Sequence, residues 1–205
     1  MVQEPVEVAV ELDHVIVFVA GPESVAPLFP GFVLDPGIRH VGQGTCNRRV
    51  FFPRNYVEIV WIEDSEARRR SGLGGAARWA PGAPCPFGVV LRGIVGEHDR
   101  ERYEPYQVPA GGPALLLLGS ALHDPRQPFV AVREDGGAPR RPDIPQHPSG
   151  ARGIRRALLR SPTIPDVGTA SPRDVRFELG RARLRLEWDG PVAPWEHPDR
   201  NDCCS

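Results

Sequence analysis

The chain has 205 residues, enough for one domain with a real core or for two fused half-units. Its 25 basic and 26 acidic residues leave a net charge of −1, so no whole-protein field recruits nucleic acid. All 25 basic residues are arginine, which excludes a lysine Schiff base and a P-loop lysine.

In chain order, β-branched enrichment and alternation predict a doubly buried strand over residues 6–19, ended by Gly21-Pro22. Residues 23–29 allow at most two helical turns, because Pro27 interrupts them. A brief strand is expected at 32–34, before the turn signal Asp35-Pro36-Gly37. Residues 49–52 and 56–62 predict a hairpin across Pro53-Arg54-Asn55, followed by a short charged helix over 63–70. A Gly/Ala/Pro-rich connection spans 71–86. Further strands are expected at 87–95, 114–118, 128–133 and 153–160, with a Pro-rich extended loop over 134–150. Residues 175–179 and 182–188 alternate strictly and predict a hairpin turning at Gly180-Arg181. With few helices and many strands, the class is α+β, built on one strongly curved sheet.

The N-terminal MVQEPVEVAV lacks the regions of a secretory signal, and no run approaches the roughly 18 apolar residues of a membrane helix. Cys46, Cys85, Cys203 and Cys204 show no paired zinc spacing. The expectation is a cytoplasmic protein with free thiols, without a membrane or nucleic-acid partner.

Two residues carry the most chemistry. His14 stands at the mouth of an apolar strand, on a face with Ile16 and Phe18; it reads either as a hydrogen-bonded core histidine or as a ligand. Glu58 shares a face with Tyr56 and Val60, while Val57, Ile59 and Trp61 line the other. A carboxylate in so apolar a strand needs a partner: a metal, an arginine such as Arg49, or His14. In the segment from Arg39 to Thr45, Gly42 and Gly44 permit a turn, and His40, Gln43 and Asn47 are placed to rim a cavity and read a ligand's polar groups. Tyr56 joins them as a substrate-binding candidate. Glu187 reads either as a metal ligand or as part of a solvated strand face paired to Arg176. His147 lies about six residues, or roughly 20 Å of extended chain, ahead of Ile154, so only a folded-back loop brings it to the site.

The runs LDHVIVFV, RHVGQGTCNRRVFF and NYVEIVWIED resemble glyoxalase-like domains of the vicinal-oxygen-chelate superfamily. PFVAVRED, RRPDIPQHPSGARG and DVRFELGRARLRLEW add a looser match in the second half. The resemblance implies paired βαβββ modules that form a curved, incomplete β-barrel around a cavity. The domain spans residues 6–190, with modules at 6–70 and 86–190 and a polar C-terminal tail at 191–205. It also implies a divalent metal (Zn, Fe, Mn, Ni or Mg) on His and Glu side chains from the first and last strands of each module. His14 and Glu58 match in the first module, and Glu187 is the corresponding candidate in the second. Phe87 and Gly88 stand where a second His is expected. The expected function is binding of a small organic molecule, with Glu58 moving a proton if the protein is a metal-dependent lyase, isomerase or dioxygenase. The alternative is a metal-free protein that sequesters or senses its ligand. The resemblance also admits a homodimer.

Overall fold

The computed structural model describes residues 10–74, 76–135 and 143–197. Its first unit begins with β1 (Glu11–Phe18), which falls within the strand expected over residues 6–19. Pro22 and Pro27 hold the following segment to two single 3-10 turns, Pro22–Ser24 and Ala26–Leu28. The strand expected at 32–34 is not formed, because the Val33 N–H donates to His147 Nδ1 (3.0 Å) and not to a neighbouring strand. Then come β2 (Arg39–His40), β3 (Thr45–Phe51) and β4 (Tyr56–Ile62). Helix α1 (Ser65–Arg70) is capped by Asp64, whose carboxylate accepts from the Glu66 and Ala67 amides.

The second unit repeats this plan in β5 (Phe87–Arg92), a 3-10 turn at Glu97–Arg102, β6 (Tyr103–Gln107), β7 (Ala114–Leu118), α2 (Gly119–His123) and β8 (Phe129–Arg133). Strand β6 escaped the sequence reading because Pro105 and its polar residues suppress the pattern; proline is tolerated there because β6 is an edge strand. The eight strands form one mixed sheet in the order β2-β3-β4-β1-β5-β8-β7-β6. In each unit the first strand runs parallel to the last, and the units meet along the antiparallel pair β1 and β5. Paired β-turn-βββ units curled into a half-barrel are therefore the observed architecture, of class α+β.

The second unit closes at β8. The remaining strands, β9 (Gly153–Ser161), β10 (Val175–Leu179), β11 (Arg183–Asp189) and β12 (Trp195–Glu196), build a separate sheet ordered β10-β9-β11-β12. The hairpin expected at Gly180-Arg181 is absent. Strand β9 lies between β10 and β11, and the connection passes over its end, where the Gly180 N–H donates to the Ser161 carbonyl (2.9 Å). Alternation alone identified both strands but could not choose their neighbour. Within the expected polar tail, Trp195 stacks on Phe29 (centroids 4.4 Å apart) and donates from Nε1 to the Leu28 carbonyl. Cys203 and Cys204 lie outside the described residues.

Strand alternation divides the large sheet into two faces. Val15, Val17, Val57, Ile59, Val89 and Leu91 pack with Leu159, Leu184, Leu186 and Trp188 of the second sheet in one buried core. On the other face, Ile16, Phe18, Val60, Val90, Leu117 and Ala131 form a second cluster with Trp79. Polar clamps fix the two sheets together. The Asn55 amide both donates to the Ile154 carbonyl and accepts from its N–H, each at 2.9 Å. His147, folded back as the distance argument required, does not reach the His14 face. It accepts from Val33 N and donates to the Phe51 carbonyl (3.0 Å). Among the described residues, no helix is long and apolar enough to cross a membrane.

Because His147 is 7 % exposed, removing its ring strands the part-buried Val33 N–H and the buried Phe51 carbonyl. His147→Ala is expected to lose about 2–4 kcal/mol in urea unfolding. Arg155→Ala, at an exposed position, should stay within about 0.5 kcal/mol.

Candidate functional site

The second face of the large sheet encloses a cavity of about 180 Å³. The parallel register of β1 and β4 sets His14 beside Tyr56, Ile16 beside Glu58 and Phe18 beside Val60, so all six side chains face this hollow. His40 and Gln43 reach it from β2 and the following turn, while Val90, Leu115 and Phe129 close it from the second unit. The His14 end is polar, and the wall beyond it is largely apolar and aromatic.

The polar end is organised around Glu58, which is 9 % exposed. His14 Nε2 stands 3.4 Å from one carboxylate oxygen, and His40 Nε2 stands 3.5 Å from the other. Asn47 is held by the Ile38 N–H on its Oδ1 (2.9 Å), which turns its amide nitrogen to donate to Glu58 Oε1. Behind His14, the fully buried Asp13 accepts from Nδ1 at 2.7 Å. Arg92 (3.1 Å) and Arg133 (3.6 Å) balance the Asp13 charge in turn. Tyr56 stacks on the His14 ring, with centroids 4.2 Å apart. Arg49, the alternative partner for Glu58, is taken by Asp35 through its backbone and side-chain nitrogens.

Burial alone would strip charge from these groups. In His14 it is outweighed by the hydrogen bonds and negative charges of Asp13 and Glu58, which raise the imidazole to about 9. In Glu58, burial is overcome by His14 and His40, which hold the carboxyl well below its usual range. The resting state is therefore an imidazolium between two carboxylates. By contrast, burial drives Cys46 up to about 11 and Cys85 to about 12, so neither thiol is a nucleophile at neutral pH.

Of the sequence candidates, His14, Glu58, His40, Gln43 and Tyr56 line one cavity, and Asn47 stands behind its wall. Glu187 is elsewhere. It sits on β11 in the second sheet, bound by Arg155 (3.2 Å), and Arg176 pairs with Glu178 on its own strand. Asp13 was missed because strand alternation sends it to the face opposite His14. A register shift between Leu12 and His14 lets both bond side by side. Gly44 supports the rim: its φ is +70°, and a Cβ there would lie 2.3 Å from the Asp64 carbonyl oxygen.

The second unit does not supply matching ligands. Aligning residues 15–18 with 89–92 sets Gly88 against His14, and the registers then place Phe129 against Tyr56 and Ala131 against Glu58. A Cβ at Gly88 would meet the Phe129 carbonyl oxygen at 2.4 Å, so no imidazole fits there. The four-ligand set implied by the sequence resemblance does not fit these residues. Among the described residues, no group of three or more His, Cys, Asp or Glu side chains is placed to hold a metal ion.

An imidazole raised from 6.5 to about 9 contributes stability that is complete below pH 6.5 and is lost as pH climbs through about 9. In ¹⁵N NMR, both His14 ring nitrogens should stay protonated from pH 6 to 8 and titrate near 9. In a Glu58→Gln variant the midpoint should fall.

The family described as a glyoxalase-like domain matches residues 12–170. The chain is similar to a hypothetical protein from Staphylococcus aureus of known crystal structure, at 15 % identity and a TM-score of 0.45, over 74 % of this chain and 69 % of that one. No curated protein matches. With most of its length matched, the chain belongs to the glyoxalase-like domain family of the vicinal-oxygen-chelate superfamily.

Proposed function

We propose that the protein binds a small organic molecule in the half-barrel cavity and holds it without turnover. The carrying observation is the cavity's polarity: the His14–Glu58–His40 cluster stands at one end, against a long wall of apolar and aromatic side chains. Such a hollow orients a ligand by a few polar contacts while its body is desolvated. The protonation states favour recognition over proton transfer. A carboxylate held far below neutrality is a weak base, and Glu58 is already neutralised by its neighbours.

One observation favours the rival reading, a divalent-metal-dependent lyase, isomerase or dioxygenase. The Asp13 carboxylate behind His14 Nδ1 is the arrangement that orients metal-ligating histidines. His14 and Glu58 would then hold the ion, whose chemistry is to polarise substrate oxygens. The family's modules also pair between chains, so a homodimer is part of either reading.

The test is a thermal-shift screen of small aromatic and branched aliphatic compounds, combined with metal analysis of protein purified without chelator. A ligand at 100-fold its Kd stabilises by about 2.7 kcal/mol. Leu115→Trp, which fills the cavity from a half-buried position, is expected to abolish that shift with the fold retained by circular dichroism. Stoichiometric divalent metal in the wild type that is lost in His14→Ala would replace the binding reading with the enzymatic one.

A further inference from the structure

The opposite end of the cavity holds polar groups outside the His14–Glu58–His40 cluster. Among the described residues, four buried side-chain atoms have no hydrogen-bond partner: Arg68 Nε, Trp79 Nε1, Tyr106 Oη and Trp188 Nε1. Trp188 belongs to the core between the sheets, but the other three residues all line this one cavity. Gln43 lies beside the Tyr106 hydroxyl, which leaves Arg68 and Trp79 as the residues with spare donors. The Arg68 guanidinium lies 4.5 Å over the Trp79 ring, and Trp79 packs on Phe18 at 4.6 Å. Phe18 is four residues along β1 from His14, or about 13 Å of strand. The cavity thus has two polar ends separated by apolar wall.

Arg68 is 4 % exposed, and no carboxylate among the described residues pairs with it. Its terminal nitrogens donate to Ser71 Oγ (2.9 Å) and the Leu73 carbonyl (2.6 Å), which leaves the positive charge uncompensated. Arg78, equally buried on the same wall, shows the difference. Its guanidinium is capped by the carbonyls of Cys85, Ala121, Asp124, Pro125 and Gln127, as a structural arginine should be. A buried cation with a spare donor, beside a second spare donor, has an incentive to meet an anion. With Arg78 capped by backbone carbonyls, the spare donors are those of Arg68 and Trp79, and a largely apolar hollow disfavours the second charge of a phosphate dianion.

We propose that the Trp79 end of the cavity is an anion subsite that takes the carboxylate of a small organic acid. The acid's apolar body fills the hollow, and its far end reaches towards the His14–Glu58 cluster. This deepens, and rests on, the reading that the cavity binds a small molecule.

The experiment is calorimetric titration of the full chain with aromatic and branched aliphatic monocarboxylates, phenylacetate among them, each beside its primary amide. Wild-type protein should bind at least one acid tenfold or more tightly than its amide, and Arg68→Met should shrink that difference to about twofold. Trp79→Phe, which keeps the ring and removes the N–H, should reduce the preference several-fold and serves if Arg68→Met does not fold. Equal affinities in the wild type, or a preference that survives both variants, would overturn the anion subsite and leave the cavity reading standing. Failure of every acid and every amide to bind would overturn both.

Discussion

The site depends on neutralising one buried carboxylate. Glu58 sits in the middle of an apolar strand, where an unpaired charge would cost several kcal/mol. Two imidazoles and an amide converge on it from β1, β2 and β3, three strands whose mutual registers are fixed by the sheet itself. Their positions in turn require Asp13 behind His14, Thr45 beside His40 (2.9 Å) and Arg92 and Arg133 around Asp13. The network reaches into β5 and β8, so both units contribute to holding a site that only one of them furnishes.

That asymmetry gives the cavity its character. The two units share a topology, yet the positions matching His14 and Glu58 hold Gly88 and Ala131. Close approach of β8 to β5 leaves no space for a side chain at Gly88. The second unit therefore presents an apolar wall of Val90, Leu115 and Phe129 opposite the polar cluster. A hollow with one polar and one greasy side has the shape of a site for amphipathic guests, and the spare donors of Arg68 and Trp79 lie beyond the apolar stretch.

The second sheet serves the site indirectly. By covering the Val15–Val17 side of the large sheet, it removes that face from water and leaves the other free to be a cavity. The Asn55 clamp, made to the backbone of β9, ties the two sheets together, and His147 ties the segment before β9 to β3. His147 illustrates how a histidine that looks available in sequence can be consumed by satisfying buried main-chain groups.

The sequence by itself determined the α+β class, most of the strands, and the face shared by His14, Ile16 and Phe18, because period-two alternation is a local property of the chain. It also marked His14, Glu58, His40, Gln43 and Tyr56 as residues of interest, through runs contiguous in one unit. Only the tertiary structure decided which strands neighbour each other. It placed β9 between β10 and β11 and moved Glu187 to the second sheet. Asp13, Arg68, Trp79 and Arg133 likewise became part of the site only in three dimensions. Asp13 needed an irregularity in β1, and the others come from a helix, a connection and a strand distant in sequence. Strand neighbours and bulges arise from contacts between segments far apart along the chain, and no periodicity within a segment encodes them.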